Sequence, residues 1–243
     1  MLTDRIKHYR TDAELNDYFN VANPAIADEE RRRMQFLKRR IGFSAGSLII
    51  DCGSGNGWIA REYLARDIAV LSVDISDKNL RRIKTEYDKN KRGFYVVADL
   101  YDLPFKNEVF DGATSNDVFE HLESPDKAAR ETSRCLKGNA RFFVSVPYKE
   151  NLIYYVCIHC NKPTPINAHL HSFDDELLNQ IFTAAGFKII AANRFINKAS
   201  SITLISYYFC RWMPYWLWRA VDIFMSLIIE KQSRISLTLA RSS

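Results

Sequence analysis

The chain has 243 residues, of which 47% are hydrophobic and 26% charged, the composition of a soluble globular protein with one full core. Five cysteines are an odd number, and the opening residues, MLTDRIKHYRTDAELNDYF, contain no apolar signal segment. We therefore expect reduced thiols in a cytoplasmic protein, with neither a disulfide framework nor a secretory signal. The net charge of +5 lies entirely in residues 194–243, which carry seven basic and two acidic side chains.

Hydrophobic periodicity divides the chain into helices and strands. The first 25 residues are polar, and we expect them to be loosely structured. Residues 27–41 place acids first and bases last, the order that a helix dipole favours, and predict a helix. Further along, strands are predicted at 47–51, 69–73, 94–98, 109–115 and 140–146, and helices at 57–66, 77–89 and 125–136. A helix at 173–185 ended by Gly186 and strands at 187–195 and 234–240 complete the pattern.

Strands that alternate with helices predict a parallel sheet covered on both faces. We therefore expect a doubly wound α/β fold, with an N-terminal helical segment at residues 1–45 and one domain at residues 46–243. Two parts of that domain interrupt the alternation. They are a loop at residues 147–172 and a hydrophobic helical insertion at residues 200–230, before the last strand.

A glycine-rich loop comes directly after the first predicted strand. Residues 49–60 read IIDCGSGNGWIA, with Asp51 at the strand end and Gly53, Gly55 and Gly57 at alternate positions after it. Glycine lets the backbone turn tightly and approach a ligand, and the next helix offers free N–H groups at its start. A dinucleotide fold needs G-x-G-x-x-G, but tryptophan holds the third glycine position here, which argues against a nicotinamide enzyme.

Two further acids end the next two predicted strands. Asp74 closes AVLSVD, where a carboxylate can accept hydrogen bonds from both hydroxyls of a ribose. Asp99 comes after FYVVA, where a carboxylate can accept a bond from an adenine amine. Three strand-end acids in this order predict a nucleoside-containing ligand.

Three segments resemble the first three motifs of the class I S-adenosylmethionine-dependent methyltransferases: IIDCGSGNG, VDIS and ADLYDLPF. The resemblance covers residues 30–150 and is closest to the small-molecule branch that includes quinone-biosynthesis enzymes. It implies a seven-stranded, mostly parallel Rossmann-like sheet whose last strand is antiparallel. It also implies that S-adenosylmethionine lies over the strand ends.

The same resemblance implies a role for each matching residue. Asp51 and the glycines would border the methionine part of the cofactor, Asp74 the ribose and Asp99 the adenine, with Asn116 near the sulfonium. The expected cofactor-binding residues are Asp51, Gly53, Ser54, Gly55, Gly57, Asp74, Ile75, Asp99, Leu100 and Asn116.

The residues after the fourth predicted strand narrow the choice of acceptor. The segment SNDVFEHL lacks the N-P-P-F type of sequence that adenine and amide methyltransferases carry, and no Pro-Cys pair is present for cytosine methylation. We therefore expect an oxygen acceptor on a small or lipid-linked molecule, and no nucleic acid partner. His121 is a candidate general base, because its neutral form is available near neutral pH. The alternative is that Glu120 and His121 only cap the next helix.

A cysteine–histidine cluster lies in the segment CIHCNKPTPINAHLHSF. Cys157 and Cys160 have the spacing of a metal knuckle, and with His169 and His171 they could complete a tetrahedral zinc site. His159 is a rival ligand. The alternatives are buried free thiols and histidines that line the acceptor pocket, where His169 or His171 would compete as general base.

Residues 201–229 contain eight aromatic side chains but are too interrupted by charges and a proline to span a bilayer. They predict a helix from Pro214 with one apolar face (Leu217, Val221, Phe224, Met225, Ile228) and one polar face (Arg219, Asp222, Ser226, Glu230). Three interpretations stay open: a lid packed on the core, a dimer contact, and a segment that binds an anionic membrane surface through Trp212, Trp216 and Trp218.

The combined prediction is a methyltransferase that uses S-adenosylmethionine to methylate oxygen. Its acceptor pocket would be built by the 147–172 loop and the 200–230 insertion. The rival from another class is a non-catalytic module that binds the cofactor or zinc with the same fold.

Overall fold

The computed structural model describes residues 5–15, 17–89, 91–199, 207–208 and 211–242. The helices in this part of the chain are α1 (Arg5–Leu15), α2 (Pro24–Leu37), α3 (Trp58–Tyr63), α4 (Asp77–Tyr87), α5 (Pro125–Cys135), α6 (Asp175–Ala184) and α7 (Tyr215–Ile228). The strands are β1 (Leu48–Cys52), β2 (Ala69–Asp74), β3 (Gly93–Val97), β4 (Phe110–Asn116), β5 (Leu136–Pro147), β6 (Tyr154–Val156), β7 (Pro163–Pro165), β8 (Phe187–Asn197) and β9 (Gln232–Arg241).

Seven of the described strands form one sheet in the order β3-β2-β1-β4-β5-β9-β8. The first five run parallel, and β9 pairs antiparallel with both β5 and β8. The predicted doubly wound α/β fold, with its antiparallel last strand and a helix inserted before it, is confirmed. Strands β6 and β7 form a separate two-stranded hairpin inside the segment predicted as a loop.

The sheet separates two hydrophobic cores because neighbouring strand residues point to opposite faces. Ile49 packs with Phe36 of α2 and Ile59 of α3, whereas Ile50 packs on the other face in the core that contains Phe182 of α6. Both isoleucines are completely buried. The apolar run in β1 therefore reflects burial on both sides.

The order of the strands reverses beside β1, which lies between β2 and β4. Connections that leave β1 and β4 run to opposite sides, so a crevice opens at the carboxyl ends of these strands. The glycine-rich loop comes directly after β1 and lies at this crevice.

Helix α1 corrects the prediction that the first 25 residues are loosely structured. Its sequence, RIKHYRTDAEL, has few apolar residues, and contacts with the connection after β2 hold it in place. Lys78 donates to the carbonyls of Ala13 and Glu14 at 3.3 and 3.1 Å, and Arg10 donates to the carbonyl of Ile75 at 3.2 Å. A cation at the carboxyl end of a helix satisfies carbonyls that have no partner within the helix.

The two faces of helix α7 are not arranged as in a lid packed on the core, because part of its predicted apolar face is exposed and part of its polar face is buried. Phe224 and Ile228, assigned to the apolar face, are exposed, whereas Asp222 of the polar face is buried together with Trp218. The carboxylate of Asp222 accepts the backbone N–H groups of Asn197 at 2.8 Å and Ile196 at 3.3 Å. It also pairs with Arg219. Because buried N–H groups need acceptors, Asp222 points inward and the apolar residues stay outside.

Candidate functional site

The glycine-rich loop is shaped by close packing and by its backbone conformation. A Cβ atom at Gly53 would overlap Val118, and one at Gly57 would overlap Ile83 of α4. Gly55 has φ +50°, and a Cβ there would meet nothing within 4 Å. Gly53 and Gly57 thus allow protein packing, whereas the backbone of Gly55 faces open space where a ligand can approach.

The carboxylate of Asp74 lies against this loop. It accepts the backbone N–H of Gly55 and that of Ser76, each at 2.9 Å. Each carboxylate oxygen has a second lone pair, so two ribose hydroxyls could still bind. Asp51 lies deeper and accepts the hydroxyl of Thr114 at 2.7 Å. Burial raises the pKa of Asp51 to about 7.

A cavity of about 700 Å³ opens above the loop, a size suited to a cofactor with a small acceptor. Nine of the ten predicted cofactor-binding residues line it. They are Asp51, Gly53, Ser54, Gly55, Asp74, Ile75, Asp99, Leu100 and Asn116. The tenth, Gly57, is absent from the lining, because its Cα faces α4.

Two features of the cavity wall fit an adenosylated ligand. The side-chain nitrogen of Asn116 is buried without a hydrogen-bond partner, and the space above Gly55 is open. An unpartnered buried donor is unfavourable unless a ligand or water accepts its hydrogen bond. The residues present therefore fit the nucleoside and amino acid parts of S-adenosylmethionine.

The N-terminal segment covers the other side of the cavity. Ile6, Tyr9, Asp12 and Ala13 of α1 line it, and so do residues between α1 and α2. From the predicted acceptor-side loop, only Asn167, Ala168 and His169 contribute, and the described residues of the 200–230 insertion do not. The predicted contribution of the insertion to the pocket is therefore not found among its described residues, where Trp218 packs α7 into the core beside α2.

Two of the three candidate catalytic histidines face this cavity. The rings of His121 and His169 lie 4.7 Å apart between centroids, and both line the wall. Burial, together with the neighbouring His169, lowers the pKa of His121 to about 4. His171 is absent from the lining, and its Nε2 instead lies 2.8 Å from the carbonyl of Leu122. The structure therefore brings His121 and His169 together and leaves His171 apart.

Comparison with known proteins matches residues 50–144 to a family model described as a methyltransferase domain. An uncharacterized protein of Methanocaldococcus jannaschii is 30% identical over 174 residues, which span 72% of this chain and 68% of that protein. The chain belongs to the class I S-adenosylmethionine-dependent methyltransferases. The matched range contains the glycine-rich loop, the three strand-end acids and His121.

Two further relatives of this methyltransferase carry names that state a reaction. The sarcosine/dimethylglycine N-methyltransferase of Halorhodospira halochloris is 31% identical over 137 residues, 53% of this chain and 48% of that protein. The O-methyltransferase rstn1 of Aspergillus nomiae is 24% identical over 141 residues, 56% of this chain and 60% of that protein. The chain thus spans about half of the length of the first of these two relatives and about three fifths of the second.

A solved structure shows the same fold. An S-adenosylmethionine-dependent methyltransferase from Mesorhizobium loti superposes with a TM-score of 0.62 at 16% identity, covering 86% of this chain and 98% of that one. Because the superposition covers 86% of this chain, the likeness in fold extends well beyond the residues matched by the family model.

The four predicted zinc ligands do not come together in the described residues. Cys157 and Cys160 lie in the turn between β6 and β7, where Cys160 is exposed. Backbone N–H groups of His159 and Cys160 lower the pKa of the Cys157 thiol. The chain then returns to the sheet, where Nδ1 of His169 lies 2.5 Å from Glu150. The predicted ligands Cys157, Cys160, His169 and His171 therefore do not form one site, because the hairpin separates the cysteines from the histidines.

The sequence suggests no role for Glu120 other than capping a helix. Glu120 is completely buried, and neither of its carboxylate oxygens has a hydrogen-bond partner. Burial and the nearby Asp117 raise the pKa of Glu120 well above its usual value. The position of Glu120 next to His121 was the available signal, but its burial depends on the tertiary structure.

Proposed function

We propose that this methyltransferase transfers the methyl group of S-adenosylmethionine to an oxygen atom of a small or lipid-linked acceptor. A single observation supports this proposal above others. One cavity joins the glycine-rich loop and three carboxylates at one end to His121 and His169 at the other. The first end suits a nucleoside, and the second suits a hydroxyl group that must lose a proton.

At the cofactor end, residues of three neighbouring strand ends would hold different parts of the ligand. Asp74 would accept ribose hydroxyls, Asp99 the adenine amine, and Asn116 would donate its free N–H near the amino acid part. When bound, S-adenosylmethionine supplies a methyl carbon on a sulfonium, whose C–S electron pair stays on sulfur as the new O–CH3 bond forms. The protein's contribution is alignment of the two reactants and exclusion of water.

Helix α1 provides that exclusion. The hydroxyl of Tyr9 donates to the carbonyl of His121, which fixes the helix over the acceptor end of the cavity. The site is therefore covered by the N-terminal segment on one side and by residues 167–169 on the other.

Oxygen is favoured over nitrogen by the chemistry of the acceptor end. A neutral amine attacks a methyl group directly, whereas a hydroxyl is a poor nucleophile until it loses its proton. Two imidazoles beside the acceptor space suit the second case. The relatives include both an N- and an O-methyltransferase, so their names leave the acceptor atom open. The resemblance to quinone-biosynthesis enzymes makes a hydroxylated ring the first acceptor to test.

Calorimetry with S-adenosylhomocysteine, the demethylated product, tests the cofactor end. We expect Asp74→Ala to weaken binding by about 1–3 kcal/mol, the range for hydrogen bonds to a charged group. The matched control is Asp77→Ala, which removes an exposed acid three residues away and should leave binding unchanged. Tight binding of a nicotinamide dinucleotide by the wild type would contradict the proposal.

The acceptor atom is tested with isotopically labelled cofactor and extracts of lipids and small molecules. Label recovered as an O-methyl ether or ester supports the proposal, and label on nitrogen contradicts it. A protein that binds the cofactor but labels no component of any extract would favour the non-catalytic alternative.

The outer face of α7 supports a second part of the proposal, attachment to a lipid surface. Its exposed residues are apolar over three turns and include Trp216, Ile223, Phe224, Leu227 and Ile228. An apolar face without charged groups suits a lipid surface, which needs no directional partners, better than a protein interface with a polar rim. Within the described residues, no helix is long and apolar enough to cross a membrane.

The basic excess near the C-terminus contributes less to this attachment than the sequence suggests. Four of its seven cations form ion pairs in the described structure, with Asp175, Asp222, Asp117 and Glu108. We therefore expect co-sedimentation with neutral vesicles to be nearly as strong as with anionic ones. Trp216→Ser/Phe224→Ser should abolish it, and a dimer in solution that shields Trp216 would contradict it.

A further inference from the structure

Three side chains that carry metal-binding atoms meet beside the acceptor end of the cavity. One ligand atom from each of Glu120, His121 and His169 lies within 4.8 Å of the other two. No other group of three such side chains occurs in the part of the chain that the structure describes. Ligand atoms about 2.0–2.2 Å from one ion lie about 3–4 Å from each other. Small side-chain rotations would therefore bring these three to one ion.

Glu120 gives an independent reason to place a cation here. It is completely buried, and both of its carboxylate oxygens lack a hydrogen-bond partner. A buried carboxylate is unfavourable unless it is paired, hydrogen-bonded or bound to a metal. The neighbouring Asp117 does not share this deficiency, because Arg33 and Arg234 both pair with it.

The two histidines are oriented with one ring nitrogen left for a metal. Nδ1 of His121 lies 3.3 Å from the carbonyl of Ala168, and Nδ1 of His169 lies 2.5 Å from the carboxylate of Glu150. Both partners are acceptors, so each Nδ1 carries the hydrogen and each Nε2 keeps its lone pair. An outer acceptor that fixes the tautomer in this way is typical of metal-binding histidines.

We propose that Glu120, His121 and His169 bind one divalent first-row transition-metal ion. Nitrogen and carboxylate ligands suit such an ion, and three protein ligands leave coordination positions open. The histidines line the cavity and Glu120 does not, so the open positions face the acceptor space. Metal binding by these three residues does not depend on the proposed function.

The role of the ion in catalysis rests on the proposed function. A divalent cation lowers the pKa of a hydroxyl that reaches it. With both imidazoles bound to the ion, the ion would take their place in promoting loss of the proton. The acceptor hydroxyl would release its proton to water, and its oxygen would then bond to the methyl carbon while the C–S bond breaks and its electron pair stays on sulfur. The ion is neither oxidised nor reduced. An acceptor with a hydroxyl group is therefore expected, and not one with only an amine.

The experiment is a titration of tag-free, full-length protein with Co²⁺ after dialysis against a chelator, monitored by calorimetry and visible absorption. We expect one equivalent to bind to the wild type. Glu120→Gln and His169→Asn should each weaken binding by at least about a hundredfold. Glu150→Gln, which changes only the outer partner of His169, should weaken it by about 10–100-fold.

Two control variants test whether Co²⁺ binding depends on the three proposed ligands and not on other nearby side chains. His171→Asn removes a histidine two residues from His169, and Cys157→Ser/Cys160→Ser removes the hairpin thiols; both should bind Co²⁺ like the wild type. The metal proposal is overturned if the wild type binds no Co²⁺, if Glu120→Gln binds it unchanged, or if only the cysteine variant loses it. Should Glu120→Gln fail to fold, His169→Asn decides in its place.

Binding of S-adenosylhomocysteine, measured on the same samples, separates this proposal from the proposed function. Its retention by Glu120→Gln shows that the variant is folded. A wild type that binds Co²⁺ but not S-adenosylhomocysteine would contradict the proposed function and leave the metal site supported. The reverse result would overturn only the metal site.

Discussion

Helices α1 and α7 lie near the two ends of the chain and have opposite compositions. Helix α1 is polar, yet Ile6, Tyr9 and Asp12 line the cavity. Helix α7 reads YWLWRAVDIFMSLI, yet none of its residues lines the cavity, and it turns much of its apolar surface outward. Apolar composition therefore does not identify the element that covers a site. Each helix is placed by a few polar contacts to a neighbouring backbone.

The largest expected effect concerns the polar anchor of α7. Asp222→Ala would leave the N–H groups of Ile196 and Asn197 without their acceptor and Arg219 without its pair. Breaking a buried ionic contact costs about 3–5 kcal/mol, so urea denaturation should show a loss of that size in the free energy of unfolding. The exposed Glu230→Ala should change it by less than about 0.5 kcal/mol. Equal effects of the two variants would show that Asp222 is not the anchor.

The corresponding anchor of α1 is weaker and acts on the site. Tyr9→Phe removes the hydroxyl that donates to the carbonyl of His121. One such bond is worth about 0.5–1.5 kcal/mol, which is a change of about two- to tenfold. We expect KM for the acceptor to rise by that factor while the global free energy of unfolding changes little. An unchanged KM would mean that α1 covers the cavity without controlling it.

A smaller effect is expected at the carboxyl end of α1. Lys78→Ala removes the cation that binds the carbonyls of Ala13 and Glu14. A charge at a helix end contributes about 0.3–1 kcal/mol, so amide hydrogen exchange in α1 should accelerate about two- to fivefold. Lys84→Ala, on the exposed face of the same helix α4, is the matched control. Exchange that accelerates equally in both variants would assign the effect to α4 itself.

The smallest effect should come from the outer face of α7. Trp216→Ala removes an exposed ring and should change the free energy of unfolding by less than about 0.5 kcal/mol. Trp218→Ala, two residues away, removes a buried ring and should cost about 3–5 kcal/mol. A large loss of stability from Trp216→Ala would mean that this ring is buried within the protein. That result would contradict its proposed contact with lipid.

Much of the fold is encoded in local patterns of the sequence. The strands of the parallel sheet and the helices that cover it were predicted to within a few residues, because buried strands and amphipathic helices have distinct periods. The N-terminus of α2 was missed by three residues, although Asn23 accepts the N–H of Ala25 and Pro24 occupies the first helical position. That signal is local and was available.

The candidate site divides in the same way. Asp51, Asp74 and Asp99 could be placed together from sequence, because carboxyl ends of parallel strands share one edge of the sheet. The four predicted zinc ligands do not come together among the described residues, because the spacing of the cysteines specifies a turn and does not specify where the histidines after it lie. His169 instead meets His121 and Glu120, which belong to a segment almost fifty positions earlier.

By itself, the sequence determined the doubly wound sheet, the glycine-rich loop and the acids beside it, because each depends on residues within one strand and the turn after it. Only the tertiary structure decided that polar α1 covers the cavity, that Asp222 points inward, and that Glu120 is buried beside two imidazoles. The free energy of a polar group depends on the partners that surround it once buried, and here those partners come from distant parts of the chain.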